Sequence, residues 1–334
     1  MTPRPKLNEV ADLAGVSLAT ASRVLNGKQG VANSTRERVL EALSDLGYRD
    51  VPVRQQTNGV IGIITPELDN PIFPVMAQAI EARLARQGML AMICSATSDT
   101  VNEREYLDHF LSSEAAGVVV VNGRYSSPEI GYAEYMDLAA RIPTVLVNGV
   151  DRDCPLSAVA VDIASGGSMA VRYLASLGHR RIGCMVGPRR YNSTRQLIAG
   201  YESGLESAGL GSDRDLISET MFTIEGGRAG TAKLVEAGAT AIITGGDLMA
   251  LGAVAGLRSW GHEVPRDVSV VGFDGTSLVS YTDPSLTSVR QPVDRMAQSV
   301  VSMLETAGRG AHQLHLFEPE LIIGRSTAPA PAPA

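Results

Sequence analysis

Ser22 and Arg23 stand side by side in a stretch where Ala21, Val24 and Leu25 recur at helical spacing. If those three turn inward, Leu18, Ala19, Ser22 and Arg23 face outward near the start of a short helix. Serine and arginine can hydrogen-bond base edges or phosphates, and leucine and alanine can meet thymine methyl groups. Further along, polar residues follow short aliphatic runs: Glu67, Asp69 and Asn70, then Asn122, Asn148 and Asp274. Carboxylates and amides offer the paired donors and acceptors that sugar hydroxyls need, and a ring such as Phe73 or Phe222 can stack on a pyranose face. Asn and Asp at strand ends also serve as plain turn formers and caps, and Asp247 is expected to N-cap a helix running to Trp260.

Composition limits what these groups can be doing. A chain of 334 residues with 44% hydrophobic and 19% charged side chains fits a small module plus a larger two-lobed body. Its first fifteen residues carry charges and no apolar export core, and no stretch approaches eighteen uninterrupted apolar residues. Neither export nor membrane spanning is expected, and the location expected is cytoplasmic. Cys94, Cys154 and Cys184 are odd in number and widely spaced, which suits reduced thiols better than disulfides or a metal cluster. Gly27-Lys28 is followed by Gln29, so there is no P-loop, and neither G-x-S-x-G nor H-E-x-x-H occurs. His312 and His315 have a metal-like spacing but no carboxylate or cysteine cluster around them. No enzyme activity, cofactor or metal is expected.

The net charge of −7 is unevenly spread. Residues 1–56 hold eight basic and six acidic side chains, about +2, which leaves about −9 for the remainder. A slightly basic head on an acidic body suits a nucleic-acid reader with a separate regulatory part. Within the head, Leu7, Val10, Ala11 and Ala14 give one apolar stripe that Gly15 stops. Val16 then plugs the core, Ser17 can N-cap the second helix, and Asn26-Gly27 can end it. Ser34-Thr35-Arg36-Glu37 reads as a capping box opening a third helix with Val39, Leu43 and Leu46 inward, closed by Gly47. Arg36 is then placed for phosphate at a helix N-terminus. Pattern alone also fits a three-helix packing module with Ser17 and Ser34 as mere caps.

From Val60 the pattern becomes aliphatic runs alternating with helical stretches. Runs at Val60–Ile64, Leu90–Ile93, Gly117–Val121, Thr144–Val147, Arg181–Val186, Ala241–Ile243 and Val268–Phe273 read as buried parallel strands. Helices fit between them, for example at Val75–Arg86, Ser168–Leu177, Gly200–Ala208 and Asp247–Trp260. So many units imply two doubly wound sheets, with ligands outside the strand carboxyl ends, between the lobes.

Leu7 to Ser17, Thr20 to Gly27, Thr35 to Val39 and Leu46-Gly47-Tyr48 resemble the head of the LacI family of bacterial repressors. Thr65 to Phe73, Gly246 to Gly252, Val270 to Asp274 and Gln291-Pro292 are similar to that family's periplasmic-binding-protein-like effector domain. The likeness spans about residues 5 to 327. Asn70 to Pro74, Val186 to Arg189 and Tyr281 to Pro284 add a narrower resemblance to actinobacterial maltose-regulon repressors. It implies an all-α helix-turn-helix head plus an α/β body of two parallel-sheet lobes. It further implies a homodimer on double-stranded operator DNA, with a sugar effector such as maltose or a maltodextrin. DNA contacts then fall on Ser17, Leu18, Ala19, Thr20, Ser22, Arg23, Asn26, Arg36 and Arg54. Effector contacts fall on Asp69, Phe73, Asn122, Asn148, Arg195, Phe222, Asp247 and Asp274. A nucleoside or purine co-repressor is the alternative ligand, and a free sugar-binding protein the alternative class.

Three departures from the family pattern stand out. Leu197 occupies the position of the usual effector-binding arginine, leaving Arg195 five residues before Gly200, and Gly246 replaces a common asparagine. The link Arg49 to Gly59 is about four residues short, lacks leucine and carries Pro52. An intercalating hinge helix is therefore not expected there, and Arg54, Gln55 and Gln56 either touch phosphates or a narrow minor groove, or form a plain tether. The domains expected are 1–49, the linker 50–59, the body 60–327 and a solvated Ala/Pro tail at 328–334 without leucine heptads.

Overall fold

The computed structural model describes residues 6–25, 31–46, 59–97, 102–306 and 312–331. Two compact units divide the chain: Met1–Val60 with Ala85–Leu90, and Ile61–Leu84 with Ala91–Ala334.

The first unit carries α1 (Leu7–Ala14), α2 (Leu18–Leu25) and α3 (Asn33–Asp45). Val10, Ala14, Val24, Val39, Ala42 and Leu43 share one core, with Val16 packed against it. Gly15 ends α1 in the left-handed region at φ 62°, a conformation that costs a Cβ-bearing residue energy. Ser17 caps α2 by accepting the Thr20 N–H at 3.1 Å. The capping box expected at Ser34 does not form. The Ala32 carbonyl already accepts the N–H groups of Thr35 and Arg36, so α3 opens at Asn33 and Ser34 lies inside the first turn. The stops expected at Asn26-Gly27 and Gly47, and the whole Arg49–Asn58 part of the link, lie outside the described residues.

In the second unit, lobe 1 is laid down first: β1 (Val60–Thr65), α4 (Ile72–Arg86), β2 (Leu90–Ser95), α5 (Glu103–Ser112), β3 (Gly117–Val121), α6 (Ala133–Ala139), β4 (Thr144–Val147) and β5 (Ala158–Val161). Lobe 2 follows: α7 (Ile163–Ser176), β6 (Ile182–Val186), α8 (Asn192–Ser207), β7 (Ile217–Glu219), α9 (Ile224–Glu236), β8 (Ala241–Thr244), α10 (Asp247–Ser259), β9 (Ser269–Asp274) and β10 (Thr287–Arg290). The chain then returns to lobe 1 as α11 (Val293–Thr306) and β11 (Leu314–Phe317), and β12 (Glu320–Ile322) rejoins lobe 2. The sheet orders are β11-β5-β4-β3-β1-β2 and β12-β10-β9-β8-β6-β7. Every residue of β3 and β4 is buried, as parallel strands covered on both faces must be. β12 departs from the expected parallel pattern, pairing antiparallel with β10. Cys184 is fully buried in lobe 2, where desolvation pushes its thiol up to about 12.

The tail expected to be solvated is docked as far as it is described. Ala328 donates to Ser269 Oγ at 3.1 Å, its carbonyl meets His179 Nε2 at 3.1 Å, and Ala330 donates to Leu177 O at 2.8 Å. Alternating Ala and Pro keeps one N–H on every second residue and no bulky side chain, so the strand-like backbone can lie flat on the lobe. His179 is buried by it, and desolvation lowers its pKa.

Helices α7 and α8 touch backbone to backbone at Gly200, where a Cβ would sit 2.1 Å from Ala164 O. Gly200→Ala should therefore lower unfolding stability by about 1–3 kcal/mol, the usual penalty of overpacking. Urea unfolding followed by circular dichroism measures it, and an unchanged midpoint would show that the helices part freely.

Candidate functional site

On the head, burial of Ala21 and Val24 leaves Leu18 49% exposed and turns Ala19 and Arg23 to the surface. Ser17, Thr20, Arg23, Thr35 and Arg38 line one concavity with Val16 and Val31. Thr20 and Ser22 are partly exposed on the same helix, and Arg36 is half-buried in the first turn of α3. Asn26 and Arg54 lie outside the described residues. One residue was not singled out by sequence reasoning. Arg38 reaches from α3 to the end of α1, donating from Nε and Nη2 to Ala14 O at 3.1 and 2.8 Å and from Nη2 to Gly15 O at 3.0 Å. A cation on the orphan carbonyls of a helix C-terminus satisfies them and opposes the dipole, and here it fixes the turn that aims α2. Only its place on the outer side of the Val39 stripe hinted at it.

The cleft of the body is built where the chain passes between lobes. It crosses at Asp162, at Gln291-Pro292 and at Glu318-Pro319, between the elements given above. Asp162 donates its N–H to Phe317 O at 2.8 Å and Ser165 Oγ donates to Glu318 Oε2 at 2.6 Å, so the first and third crossings are tied. The second is tied by side chains. Asn148, at the end of β4, accepts the Val161 N–H on Oδ1 at 3.0 Å, which fixes its amide orientation. Its Nδ2 then donates to Gln291 Oε1 at 2.9 Å, and Gln291 Nε2 donates to Asp274 Oδ1 at 2.8 Å. Asn148 and Asp274 thus meet through one glutamine that is 8% exposed.

Asn122, Asn148 and Asp274 have φ of 47°, 57° and 99°. Asn and Asp tolerate this region better than other side chains, and strain of this kind clusters where side chains must be aimed. Asn122 is fixed by its own N–H to Val147 O at 2.8 Å and remains half-exposed. Phe222 lies over Gly187 and Gly245, the residues just beyond β6 and β8; a Cβ on Gly187 would stand 2.0 Å from the ring. Both glycines are therefore needed for the ring to lie on the carboxyl end of the sheet.

The other predicted residues sit differently. Asp247 is not the N-cap of α10: that position is Gly246, in extended backbone, and the helix ends at Ser259 with Trp260 as its C-cap. Asp247 is 2% exposed and does not present a free carboxylate, because Oδ1 takes Ser288 Oγ at 2.6 Å and Oδ2 takes Thr276 N and Oγ1 at 2.9 and 3.1 Å. Its influence passes through Asp274. Arg195 is exposed and spends Nε on Arg189 O at 2.9 Å, bracing the loop after β6. Phe73 is buried in the first turn of α4, and Asp69 is exposed in the loop after β1 beside Glu67, whose pKa burial and then the Asp69 charge raise. Missed by sequence reasoning were the residues that join the lobes. Asn192 Nδ2 donates to Gly149 O at 3.0 Å and Gln196 Nε2 to Val150 O at 2.9 Å, from one face of α8. Their i, i+4 spacing was the available signal.

A helix-turn-helix head and a two-lobed α/β body with an amide- and carboxylate-lined cleft define a ligand-responsive DNA-binding regulator. The sequence matches the model of bacterial regulatory proteins of the lacI family over residues 6–50 and that of the periplasmic-binding-protein-like domain over residues 171–327. The chain is 41% identical to the HTH-type transcriptional regulator MalR of Streptomyces coelicolor, over 98% of this chain and 97% of that protein. It belongs to the LacI family of transcriptional regulators, and within it is similar to actinobacterial MalR-type repressors. Among solved structures, the transcriptional regulator CelR in complex with cellobiose matches with TM-score 0.71 and 27% identity, covering 97% of this chain and 100% of that one. The lac repressor dimer bound to operator and an anti-inducer shares the fold, with TM-score 0.75 at 23% identity, over 98% and 100% of the two chains. Members of this family are regulators rather than enzymes. No helix among the described residues is long and apolar enough to cross a membrane.

The buried Asp247–Asp274 pair makes the cleft sensitive to pH. Burial, and for Asp274 the neighbouring Asp247 charge, raises both carboxyls, Asp247 to about 6. A raised carboxyl favours the folded state while protonated, so its contribution is full at low pH and is lost as pH rises from the ordinary Asp value through the raised one. His179 acts oppositely, since its lowered pKa costs stability as pH falls. Between pH 4.5 and 7.5, Asp274→Asn should therefore be stabilised relative to wild type increasingly with pH, as read by melting temperature. A difference that does not grow with pH would mean Asp274 is not raised.

Proposed function

We propose that the chain is a cytoplasmic, dimeric repressor whose operator affinity is set by a neutral sugar, maltose or a maltodextrin, held between the lobes. The observation that carries this reading is the Asn148–Gln291–Asp274 array that spans the lobes, with the Phe222 ring lying on Gly187 and Gly245 at the carboxyl end of the lobe 2 sheet. Amides and a carboxylate in fixed orientation suit vicinal hydroxyls, and an aromatic face suits the C–H side of a pyranose. The cellobiose-bound CelR supports a disaccharide class. On the head, Ser17, Leu18, Ala19, Thr20, Ser22, Arg23 and Arg36, with Asn26 and Arg54 of the undescribed segments, serve the operator. Leu18 and Ala19 read thymine methyls, and Ser22 and Arg23 read base edges.

Sugar and operator communicate by population shift. The sugar must bind the open and closed lobes unequally, and a coupling of about 1–3 kcal/mol changes operator affinity roughly 5- to 150-fold. An operator selected from random duplexes with the full-length protein should lose affinity by such a factor when maltose is added, as read by fluorescence anisotropy. Tightening by a nucleoside or purine, with no response to maltose or maltodextrins, would replace this reading with a co-repressor.

The dimer rests on apolar groups left open on lobe 1. Met92 and Ile93 are 45% and 44% exposed on β2, an edge strand, and Val75 is exposed on α4. An uncovered apolar edge strand in a folded chain marks an association surface. Sedimentation should give twice the mass of the chain for wild type and the single mass for Met92→Asp/Ile93→Asp. An unchanged dimer in the double variant would place the interface elsewhere.

A further inference from the structure

Tyr191 is an aromatic residue near the cleft to which nothing above gives a role. It stands in extended backbone just before α8 and makes no side-chain cap bond. The next residue, Asn192, bonds lobe 1 at Gly149 O, so Tyr191 is at the rim where the lobes meet. Its ring centroid lies 6.3 Å from that of Phe222, with the planes inclined by 49°. The guanidinium carbon of Arg190 sits 4.6 Å over the same ring, and Arg190 Nη2 donates to the phenol oxygen at 3.0 Å. The loop carrying both is braced again by Arg189, whose N–H donates to Glu219 Oε1 at 3.1 Å and whose guanidinium pairs with Glu219 at 3.4 Å. Arg195 holds the Arg189 carbonyl from the other side. The ring is thus set in place before any ligand arrives, which removes most of the ordering cost of a stacking contact.

Phe222 covers Gly187 and Gly245 at the sheet end, and Tyr191 continues that apolar surface outward at an angle. On the sugar-effector reading, one pyranose stacks on Phe222. A second ring joined to it meets Tyr191, and the 49° inclination suits α-1,4-linked glucose units, which are inclined to one another rather than coplanar. We infer that Tyr191, clamped by Arg190, is the specificity-determining contact for the second ring of an α-linked glucose disaccharide, and selects it over the monosaccharide. The inference rests on the sugar-effector reading above.

The test is calorimetric titration of the full-length protein with maltose, with glucose followed by thermal shift at saturating concentration. Tyr191→Ala should lose roughly 3- to 10-fold in maltose affinity, the usual scale of one aromatic contact. Its glucose-induced shift should stay as in wild type, and Tyr191→Phe, which keeps the ring, should restore maltose affinity to within about twofold. Sugar-free melting temperatures and operator binding report whether each variant is folded. Unchanged maltose affinity in Tyr191→Ala, an equal loss for both sugars, or no rescue by Tyr191→Phe overturns the role of Tyr191 while leaving the sugar reading intact. If wild type binds operator but neither sugar, the effector reading fails and this inference with it.

Discussion

Gln291 occupies the crossing between β10 and α11 and bonds one lobe with each end of its amide. The carbonyl end takes Asn148 and the amino end gives to Asp274, so the orientation of all three side chains is mutually determined, starting from the Val161 N–H on Asn148. Each such bond contributes only about 0.5–1.5 kcal/mol net, but leaving its partners dry and unpaired costs about 1–3 kcal/mol apiece. The lobes therefore cannot part at this point unless water or a ligand takes over the same atoms. Everything else in the cleft is arranged around that condition. The left-handed backbone at Asn148 and Asp274 aims their side chains at the crossing, and Asp247, held by Ser288 and Thr276, sets the charge of Asp274 from behind.

The same logic separates residues that touch a ligand from residues that prepare those that do. Asp247 is chemically similar to Asp274, yet three hydrogen bonds from its own lobe use its oxygens, which makes it a support behind Asp274 rather than a contact. Arg195 likewise belongs to the loop after β6, where it holds the Arg189 carbonyl. Arg38 plays the corresponding part in the head, since its cation fixes the turn between α1 and α2 and leaves the outward residues of α2 for contact.

Much of this was legible in the sequence because periodicity reports burial. The stripe Leu7, Val10, Ala11 and Ala14 gave α1 to the residue, and Gly117–Val121 and Thr144–Val147 matched β3 and β4 at both ends. The short strands β5, β7, β10 and β11 were not singled out from the sequence, although β4 and β8 of similar length were. Placement at the strand ends was legible where backbone chemistry forces the residue type, as at Asn122, Asn148 and Asp274. It was illegible where two distant segments complete one arrangement. Nothing in Gln291 alone announces a donor 143 positions away, nor in Asn192 a carbonyl at Gly149. Ser34 failed for a local reason, since a backbone carbonyl one turn earlier started the helix first, and the Ala/Pro tail failed because low complexity does not preclude backbone hydrogen bonds to a folded lobe.

On the sugar-effector reading, the three crossings give a small ligand a place to act on the whole body. Asp162 and Glu318 join the first and third crossings to each other through a backbone bond and a serine hydroxyl bond. Gln291, Asn192 and Gln196 join the lobes through amides, whose partners a ring of hydroxyls can replace one for one. On that reading the first set would act as an axle and the second as an exchangeable latch. A ligand that replaces the latch in the closed arrangement favours closure; one whose bulk keeps Asn192 from Gly149 favours opening. The sign of regulation thus follows from how many of those amide bonds survive with the ligand in place, at a scale of about 1 kcal/mol each, which matches the differential binding needed to shift a two-state equilibrium.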